Sequence, residues 1–249
     1  MIDFHTHVLP KIDDGAKDDS VSAEILRQES EQGVRKIVFT PHYYGKRELE
    51  YFVELRKNAM SQIVSLIPPE IEVRLGAEVH VTGVNDPSYD TLCALAIEGT
   101  KCVLFEFPFL TEWSMNLMEK VSDFITDTGY TPIIAHAERY TEFLKNPTLL
   151  TDFVRMGCYV QLSTGAFLKK RTKKFAFTAL KKGLVHCLGT DAHNADNRAP
   201  DYALAKQAVY KAGYGAQWER VQKWMERILM GETPHVAYIP MYRKWGIYF

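Results

Sequence analysis

The sequence predicts an α/β fold in which parallel strands close into a barrel. Short apolar runs, several of them rich in β-branched residues, alternate with longer amphipathic stretches along most of the 249 residues. This alternation implies a parallel sheet with right-handed crossovers, and the number of units favours a closed or distorted barrel. Barrels of this kind often occupy ~200–250 residues, so the length requires no second domain. We expect residues 1–249 to form one domain, with residues 233–249 as an aromatic C-terminal extension.

Seven apolar runs are predicted to form the strands of this barrel. They are too short for typical helices, and several carry β-branched residues. The predicted strands are Ile2–His7, Lys36–Thr40, Ile71–Glu78, Cys102–Phe107, Pro132–Ala135, Cys158–Leu162 and Val185–Gly189.

Eight amphipathic stretches are predicted to be helices. They are Ser20–Gln32, Glu48–Leu66, Ser88–Ile97, Ser114–Thr128, Pro147–Arg155, Phe175–Lys181, Asp201–Ala212 and Gln217–Met230. Five of the stretches are followed by a glycine, which can take the left-handed conformation that ends a helix. These glycines are Gly33, Gly129, Gly157, Gly183 and Gly213.

The composition is that of an ordinary globular protein. Hydrophobic residues make up 46% and charged residues 24% of the chain, and the formal net charge of −1 argues against a general nucleic-acid binder. No apolar run approaches the ~18 residues of a membrane span, and the first residues do not resemble a signal peptide, so we expect a cytoplasmic protein. The four cysteines are widely spaced and are predicted to be buried free thiols: Cys93, Cys102, Cys158 and Cys187.

The first strand carries two potential metal ligands on one face. His5 and His7 are two positions apart, and alternate residues of a strand point to the same side. Imidazole is a common metal ligand, although a histidine pair on a strand is also compatible with a purely structural role.

Other nitrogen and oxygen ligands occur at or just after the ends of later predicted strands. Parallel barrels place their chemistry at the C-terminal ends of the strands, so these side chains are predicted to converge on one opening. Each of them alone is also compatible with a surface carboxylate or a core histidine, but the joint pattern favours a metal site. Together with the first pair they are His5, His7, His42, Glu78, Glu106, His136, Asp191 and His193. Three histidines do not fit this positional rule and are predicted to be structural or exposed: His80, His186 and His235.

Seven separated motifs resemble those of the polymerase and histidinol phosphatase (PHP) superfamily. In order and spacing they are similar to the bacterial manganese-dependent protein-tyrosine phosphatases of capsule and exopolysaccharide operons. The resemblance covers residues 1 to about 204. The motifs are His5-Thr6-His7, Asp13-Asp14-Gly15, Thr40-Pro41-His42, Gly76-Ala77-Glu78, Phe105-Glu106-Phe107-Pro108, Ala135-His136-Ala137-Glu138-Arg139 and Gly189-Thr190-Asp191-Ala192-His193.

This resemblance implies a distorted (β/α)7 barrel of the PHP type that holds three divalent metal ions. By the same resemblance, the first ion takes His5, His7, Glu78 and Asp191, the second takes Glu106 and His136 with Glu78 bridging, and the third takes Asp14, His42 and His193. Manganese is the expected metal. Mixed imidazole and carboxylate ligands also suit iron or zinc, and no thiolate is present to exclude the harder ions.

The implied activity is hydrolysis of phosphotyrosine. A water that bridges two cations yields a hydroxide at neutral pH, and in-line attack on a phosphomonoester fits such a site. Arg139 and Arg198 match family positions that bind phosphate, which suits the guanidinium fork, and Asp191 completes the predicted catalytic set. No side chain is assigned as general acid. The implied partner is a phosphotyrosyl protein, in particular the tail of a bacterial tyrosine kinase, and homo-oligomerisation is left open.

A cysteine-based tyrosine phosphatase mechanism is excluded by the sequence. That mechanism needs an arginine six positions after the nucleophilic cysteine. The residues at this position after the four cysteines are Gly99, Pro108, Thr164 and His193. A Walker-type phosphate loop is also absent from the sequence.

Three other functions are compatible with the same residues. One is a phosphatase for a small molecule such as histidinol phosphate. A second is a PHP nuclease, for which the basic run Lys169–Lys174 would guide a phosphate backbone, although such runs are usually solvated and no nucleic-acid partner is expected. The third is a non-catalytic regulator, against which all the matched ligand positions carry ligating residue types.

Two segments have no single sequence-based interpretation. The run His42–Arg47 is predicted to be a rim loop whose tyrosines and cations either line the substrate entrance or only cover the barrel mouth. The aromatic segment Thr233–Phe249 is expected to pack either on the barrel or on another subunit.

Overall fold

The structure is a computed structural model that describes residues 1–45, 48–81, 89–109, 115–235 and 237–249. The first residues of two predicted helices, Ser88 and Ser114, and the basic end of the predicted rim loop, Lys46–Arg47, lie outside the described residues.

All seven predicted strands are present. One of them, Ile71–Glu78, is divided by a short break, and an additional short strand follows Lys36–Thr40 after another break. The strands are β1 Ile2–Thr6, β2 Lys36–Phe39, β3 His42–Tyr43, β4 Glu72–Leu75, β5 Glu78–His80, β6 Cys102–Glu106, β7 Thr131–Ile134, β8 Tyr159–Ser163 and β9 Cys187–Gly189, followed by the hairpin strands β10 Arg243–Lys244 and β11 Ile247–Tyr248. The break between β2 and β3 falls at Thr40–Pro41, where the proline has no N–H for the ladder. The break between β4 and β5 falls at Gly76–Ala77.

The nine strands β1 to β9 form a distorted parallel barrel. They pair in two sheets with the orders β1-β2-β4 and β3-β5-β6-β7-β8-β9, and every pair is parallel. Hydrogen bonds from Gly76 N to Phe39 O, 2.9 Å, and from Glu78 N to Pro41 O, 3.0 Å, continue the pairing across the two breaks.

The barrel closes between its first and last strands. The backbone N–H of Asp191 donates to His5 O at 2.8 Å, and that of His7 donates to Ala192 O at 2.9 Å. The predicted fold class, a distorted α/β barrel with seven strand positions, is therefore confirmed.

The helices flank the strands as the alternating pattern predicts. They are α1 Asp19–Glu31, α2 Leu49–Ile63, α3 Tyr89–Leu95, α4 Met115–Thr128, α5 Thr141–Lys145, α6 Thr148–Met156, α7 Lys173–Lys182, α8 Tyr202–Lys211 and α9 Gly215–Leu229. The sequence did not indicate α5, because five residues are too few for a helical period to be recognised. The five glycines predicted to follow helices all have positive φ: Gly33, Gly129, Gly157, Gly183 and Gly213.

The core lies on both faces of the strands. Phe4, Leu104 and Val160 of the strands are fully buried, as are Ile25 of α1 and Met225 of α9. Such burial on strand and helix faces excludes water from the barrel and fixes the strand ends that carry the polar site.

The predicted burial of the cysteines is correct for three of the four. Cys102, Cys158 and Cys187 are buried free thiols, but Cys93 is exposed. Cys93 lies on α3, where its sulfur is 3.6 Å from the hydroxyl of Tyr130. The apolar residues around Cys93 in the sequence do not indicate on which face of this short helix the thiol lies.

The C-terminal segment packs back onto the same chain. Met241 is 1% exposed, and its backbone N–H donates to Thr151 Oγ1 at 3.0 Å. The Tyr248 hydroxyl donates to Leu144 O at 2.9 Å. Of the two alternatives left open by the sequence, the described residues therefore take the first, in which the aromatic segment docks on the barrel.

Among the described residues, no helix combines the length and the apolar character that a bilayer span requires.

Candidate metal centre

The predicted ligand side chains meet at the C-terminal ends of the strands. Their centre is Glu78 Oε2, which lies 3.1 Å from His5 Nε2, 3.2 Å from His7 Nε2 and 3.1 Å from His42 Nδ1. These groups lie in or directly after β1, β3 and β5, so residues far apart in sequence meet because the C-terminal ends of the strands share one opening of the barrel.

A second group of ligand atoms surrounds Asp14. Its Oδ1 is 3.4 Å from His42 Nε2 and 3.4 Å from His193 Nε2. Asp14 lies in the loop after β1 and His193 in the loop after β9, which are adjacent at the barrel closure.

The remaining predicted ligands complete the cluster on its other sides. His136 Nε2 is 2.7 Å from Glu78 Oε1 and 3.6 Å from Glu106 Oε1. Asp191 Oδ1 is 3.6 Å from His5 Nε2 and 3.5 Å from His7 Nε2. All nine residues named as ligands by the resemblance are therefore brought together.

The donor set fits divalent cations. Three overlapping groups have ligand atoms that all lie within 4.8 Å of one another: His7, Asp14, His42 and His193; His5, His7 and Glu78; and His42, Glu78 and Glu106. Glu78 is 1% exposed, and its Oε2 is buried without a hydrogen-bond donor although three imidazole nitrogens surround it. A buried carboxylate oxygen without a donor is costly, and a cation held by the same imidazoles would satisfy it.

The electrostatics of the cluster favour the ionised, ligating state of Glu78 and Asp14 but not that of Glu106. Burial opposes ionisation of Glu78, but the interactions of the carboxyl group with the imidazoles of His5 and His136 outweigh it and keep its pKa well below the usual range. The hydrogen bond with His42 lowers the pKa of Asp14. Burial raises the pKa of Glu106 to about 7, with a further contribution from the nearby Glu78 charge.

The imidazoles fall into two groups, one with a lowered pKa and one with a raised pKa. Burial lowers the pKa of His136, and it lowers that of His193 to about 3, so both are neutral and ready to coordinate at pH 7. For His5 and His7 burial also acts to lower the pKa, but nearby carboxylates, chiefly Glu78 for His5 and Asp13 for His7, outweigh it and raise the pKa. Binding of a cation at His5 and His7 therefore displaces protons.

Two arginines stand over the cluster. Arg139 Nη1 donates to Asp191 Oδ2 at 3.2 Å, and Arg198 Nη2 donates to the same oxygen at 2.9 Å. Both guanidinium groups are partly exposed and line a cleft of about 830 Å³, including its opening to solvent, whose walls also contain Asp14, His42 and Glu106. A phosphate group entering this cleft would meet both arginines beside the ligand cluster.

Two further side chains orient the imidazoles, and sequence reasoning gave neither of them a role. The carboxylate of Asp13 accepts from His7 Nδ1 at 2.8 Å and from the backbone N–H of His42 at 2.9 Å. Gln161 Oε1 lies 3.3 Å from His5 Nδ1 and accepts the backbone N–H of His136. Two features of the sequence could have indicated these roles: the doubled aspartate Asp13-Asp14 and a glutamine within an apolar strand.

The backbone at the site is tightly constrained. His136 and Asp191 follow β7 and β9 with φ of 31° and 54°, values that non-glycine residues seldom adopt and that cluster at functional sites. A Cβ added to Gly15 would lie 2.2 Å from His7 O, and one added to Gly189 would lie 2.5 Å from His5 Cβ. Glycine at these two positions therefore allows the histidine strand to approach its neighbours.

The three histidines that the positional rule left out of the predicted ligand set lie in different environments. His186 is buried against Tyr159 and Trp224, away from the cluster, and His235 is exposed. His80 lines the same cleft as His42 and Glu106, and its assignment as a structural or exposed residue stays a prediction. It lies two residues after Glu78 on β5, and the alternation of a strand places both side chains on one face.

The rim segment after β3 contributes to the cleft wall. Tyr44 lines the cleft together with Phe109, which follows β6 and which sequence reasoning did not select. Tyr44 therefore lines the cleft over the ligand cluster, and its role at a substrate entrance stays a prediction. Tyr43 is 7% exposed and packs on Phe52.

Comparison with known proteins identifies the family. The model of the capsular polysaccharide synthesis family CpsB/CapC matches residues 1–229. The chain belongs to this family.

Relatives that are named tyrosine-protein phosphatases are similar to this chain over most of their length. The chain is 32% identical over 203 residues to the tyrosine-protein phosphatase YwqE of Bacillus subtilis, covering 80% of this chain and 79% of that protein. It is 30% identical over 224 residues to the tyrosine-protein phosphatase CpsB of Streptococcus agalactiae serotype III, covering 84% of this chain and 89% of that protein.

Solved structures agree with this family assignment. One similar structure belongs to the crystal structures of YwqE from Bacillus subtilis and CpsB from Streptococcus pneumoniae, which are described as metal-dependent tyrosine phosphatases. It superposes on this chain with a TM-score of 0.82 at 29% identity, and the match covers 98% of this chain and all of that one. Histidinol phosphate phosphatase from Lactococcus lactis superposes with a TM-score of 0.51 at 15% identity, covering 88% of this chain and 93% of that one, which is a likeness of fold alone.

Proposed function

We propose that this chain is a metal-dependent protein-tyrosine phosphatase. The observation that carries the proposal is the convergence of imidazoles and carboxylates around the donor-free oxygen Glu78 Oε2, beneath two arginines that share Asp191. The proposal agrees with the names of the CpsB/CapC relatives, which are tyrosine-protein phosphatases.

We assign three divalent cations to the nine ligands. The first is held by His5, His7, Glu78 and Asp191, the second by Glu106 and His136 with Glu78 as the bridge, and the third by Asp14, His42 and His193. Ligand atoms that lie 2.7–3.6 Å apart within these groups support the assignment. Manganese is the expected metal, and iron or zinc suits the same ligands.

The bound cations would supply a hydroxide nucleophile at neutral pH and positive charge for the phosphoryl oxygens. Arg139 and Arg198 orient the phosphate group through their guanidinium forks, with Asp191 holding both in place. The transition state spreads negative charge over the phosphoryl oxygens, so fixed cations placed around them lower the barrier.

The proposed substrate is a phosphotyrosyl protein, and the proposed partner is a bacterial tyrosine kinase of capsule or exopolysaccharide synthesis in the cytoplasm. An open cleft over the cluster is compatible with a flexible peptide segment. A phenol leaves more readily than an aliphatic alcohol because its pKa is lower, so such a substrate needs less help from a general acid.

The test is a phosphotyrosyl-peptide assay with and without chelator, run beside elemental analysis of the purified protein. We expect metal-dependent turnover that falls by at least about 100-fold in His136→Ala and in Asp191→Asn. The control variant is His235→Ala, which changes an exposed histidine outside the cluster. Unchanged turnover in both site variants, or turnover that survives complete removal of metal, would contradict the proposal.

The alternative function is that of a small-molecule phosphatase, and the same assay with a second substrate tests it. Comparing kcat/KM for a phosphotyrosyl peptide with that for histidinol phosphate separates the two functions. A preference for histidinol phosphate would replace the proposed substrate while leaving the metal site in place.

A further inference from the structure

Two partly exposed aromatic side chains border the cleft over the ligand cluster. Tyr44 is 47% exposed and Phe109 is 40% exposed, and both line the cleft that contains Arg139 and Arg198. Large aromatic groups are costly to leave in water, and exposed apolar surface that borders a polar cleft is a common feature of binding sites.

Each ring is held by stacking against a predicted metal ligand. Tyr44 stacks on His42 with ring centroids 5.0 Å apart and an interplanar angle of 25°. Phe109 stacks on His136 at 5.5 Å and 28°, and on the buried Tyr140 at 5.1 Å and 21°. These contacts hold each ring in position, while its exposed fraction leaves part of the ring open to the cleft.

The two rings border one cleft from strands of the same sheet. Tyr44 follows β3 and Phe109 follows β6, with β5 between these strands in the sheet. His80 of β5 lines the same cleft, and its ring centroid lies 5.9 Å from that of Tyr44. Aromatic rings attract one another at centroid distances of ~4.5–7 Å, so the ring of a ligand in this cleft can contact these side chains.

The charged groups lie where the phosphate of such a ligand would be. The Arg139 guanidinium is 4.8 Å from the centroid of the Phe109 ring and also donates to Asp191. One side chain therefore contacts both the aromatic wall and the phosphate-binding side of the cleft. A ligand with a phenyl ring attached to a phosphoryl group matches this arrangement of an apolar wall beside cations.

We infer that Tyr44 and Phe109 form an aromatic clamp that selects aryl phosphates over alkyl phosphates. The inference rests on the proposed function and adds the residues that determine its substrate class. The clamp acts on the ring, whereas the arginines and the cations act on the phosphoryl group, so the two contributions are separable by ligand.

The experiment measures binding of two non-hydrolysable probes, phenylphosphonate and methylphosphonate, to the manganese-loaded protein by calorimetry. The ratio of their dissociation constants reports the ring contribution alone. We expect the wild type to favour phenylphosphonate, and Tyr44→Leu and Phe109→Leu each to reduce this preference by about 2- to 10-fold. Affinity for methylphosphonate should change by less than about 2-fold, because leucine preserves an apolar cover over the stacked histidine.

A conservative variant at Tyr44 and a control variant outside the cleft test whether the aromatic residues have only a structural role. Tyr44→Phe retains the ring and should keep the wild-type preference. Tyr210→Leu changes a tyrosine of α8 that is 44% exposed but is not among the cleft residues, and it should have no effect. Metal content is measured for every variant, so that loss of a cation is not mistaken for loss of the clamp.

Three results would overturn the inference: no phenyl preference in the wild type, an unchanged preference in both leucine variants, or an equal loss of affinity for both probes. Turnover of the phosphotyrosyl peptide by the wild type is measured in parallel. Phenyl selectivity without turnover refutes the proposed function, whereas turnover without clamp-dependent selectivity refutes only the clamp.

Discussion

The imidazole of His7 depends on a neighbouring carboxylate that is not itself in the proposed ligand set. Asp13 accepts from His7 Nδ1 and thereby leaves Nε2 facing Glu78 at 3.2 Å. The same carboxylate accepts the backbone N–H of His42, so it fixes two ligand-bearing segments at once. Partners of this kind set both the tautomer and the orientation of a ligating histidine.

Replacing Asp13 with alanine should weaken metal binding by about 10- to 100-fold, because the His7 ring loses its orienting acceptor. Affinity is measured by titrating the metal-free protein with Mn²⁺. Asp152→Ala is the matched control, since this aspartate pairs only with the surface residue Arg155 among the described residues. Equal affinity in wild type and Asp13→Ala would show that Asp13 has no orienting role.

At the site, β9 approaches β1 closely. Gly189 of β9 has no side chain, and a Cβ there would lie 2.5 Å from His5 Cβ and 2.9 Å from His5 N. Since the obstructing atoms belong to a buried strand, they have little freedom to move aside. The position of His5 therefore depends on a glycine of the neighbouring strand.

Gly189→Ala should lower the free energy of unfolding by about 1–3 kcal/mol and weaken metal binding, because β1 and its histidines must shift. Thermal unfolding and Mn²⁺ titration measure the two effects. Gly76→Ala is a suitable control, since its nearest neighbours would be side-chain atoms at 3.4 Å, an ordinary contact distance. Similar behaviour of the two variants would contradict this account.

A buried methionine contributes to anchoring the C-terminal segment. Met241 is 1% exposed, whereas Trp245, at the turn of the β10–β11 hairpin, is 90% exposed. Met241→Ala should destabilise the protein by about 2–5 kcal/mol through lost burial and the cavity left behind. Trp245→Ala should have a small effect. Denaturant unfolding compares them, and equal stability of the two variants would mean that the segment is not docked in solution.

At the scale of the elements, the sequence predicted the strands and eight of the helices because apolar periodicity is local. The break after Leu75 was not foreseen, because it lies inside the predicted strand Ile71–Glu78, and the short strand β3 after Pro41 was not predicted. The helix α5 and the hairpin of β10 and β11 were missed because each is too short to show a period.

Stability of the whole molecule should depend on the protonation of a buried histidine far from the ligand cluster. Burial lowers the pKa of His186 from 6.5 to about 3, and its Nδ1 accepts the backbone N–H of Val160 at 3.2 Å. Below pH 6.5 the unfolded chain binds a proton at this residue that the folded chain does not. The free energy of unfolding therefore falls with decreasing pH, by up to ~1.4 kcal/mol per pH unit from this group.

His186→Gln removes the titrating group while keeping a polar side chain. We expect the stability of this variant to decline less steeply than that of the wild type between pH 6.5 and about 4, whatever its stability at pH 7. Chemical denaturation at several pH values gives the two slopes. Carboxylates titrate in both proteins and cancel in the comparison, so parallel curves would refute the assignment.

The sequence by itself determined which chemical groups are available and at which strand ends they occur, because residue type and apolar periodicity are properties of the local chain. It thereby predicted the barrel and the ligand cluster. Only the tertiary structure decided that Glu78 Oε2 lies at the centre, that Asp13 and Gln161 support the imidazoles, and that Tyr44 and Phe109 border the cleft. These features depend on distances between residues remote in sequence, which closure of β9 onto β1 and the packing of neighbouring strands establish.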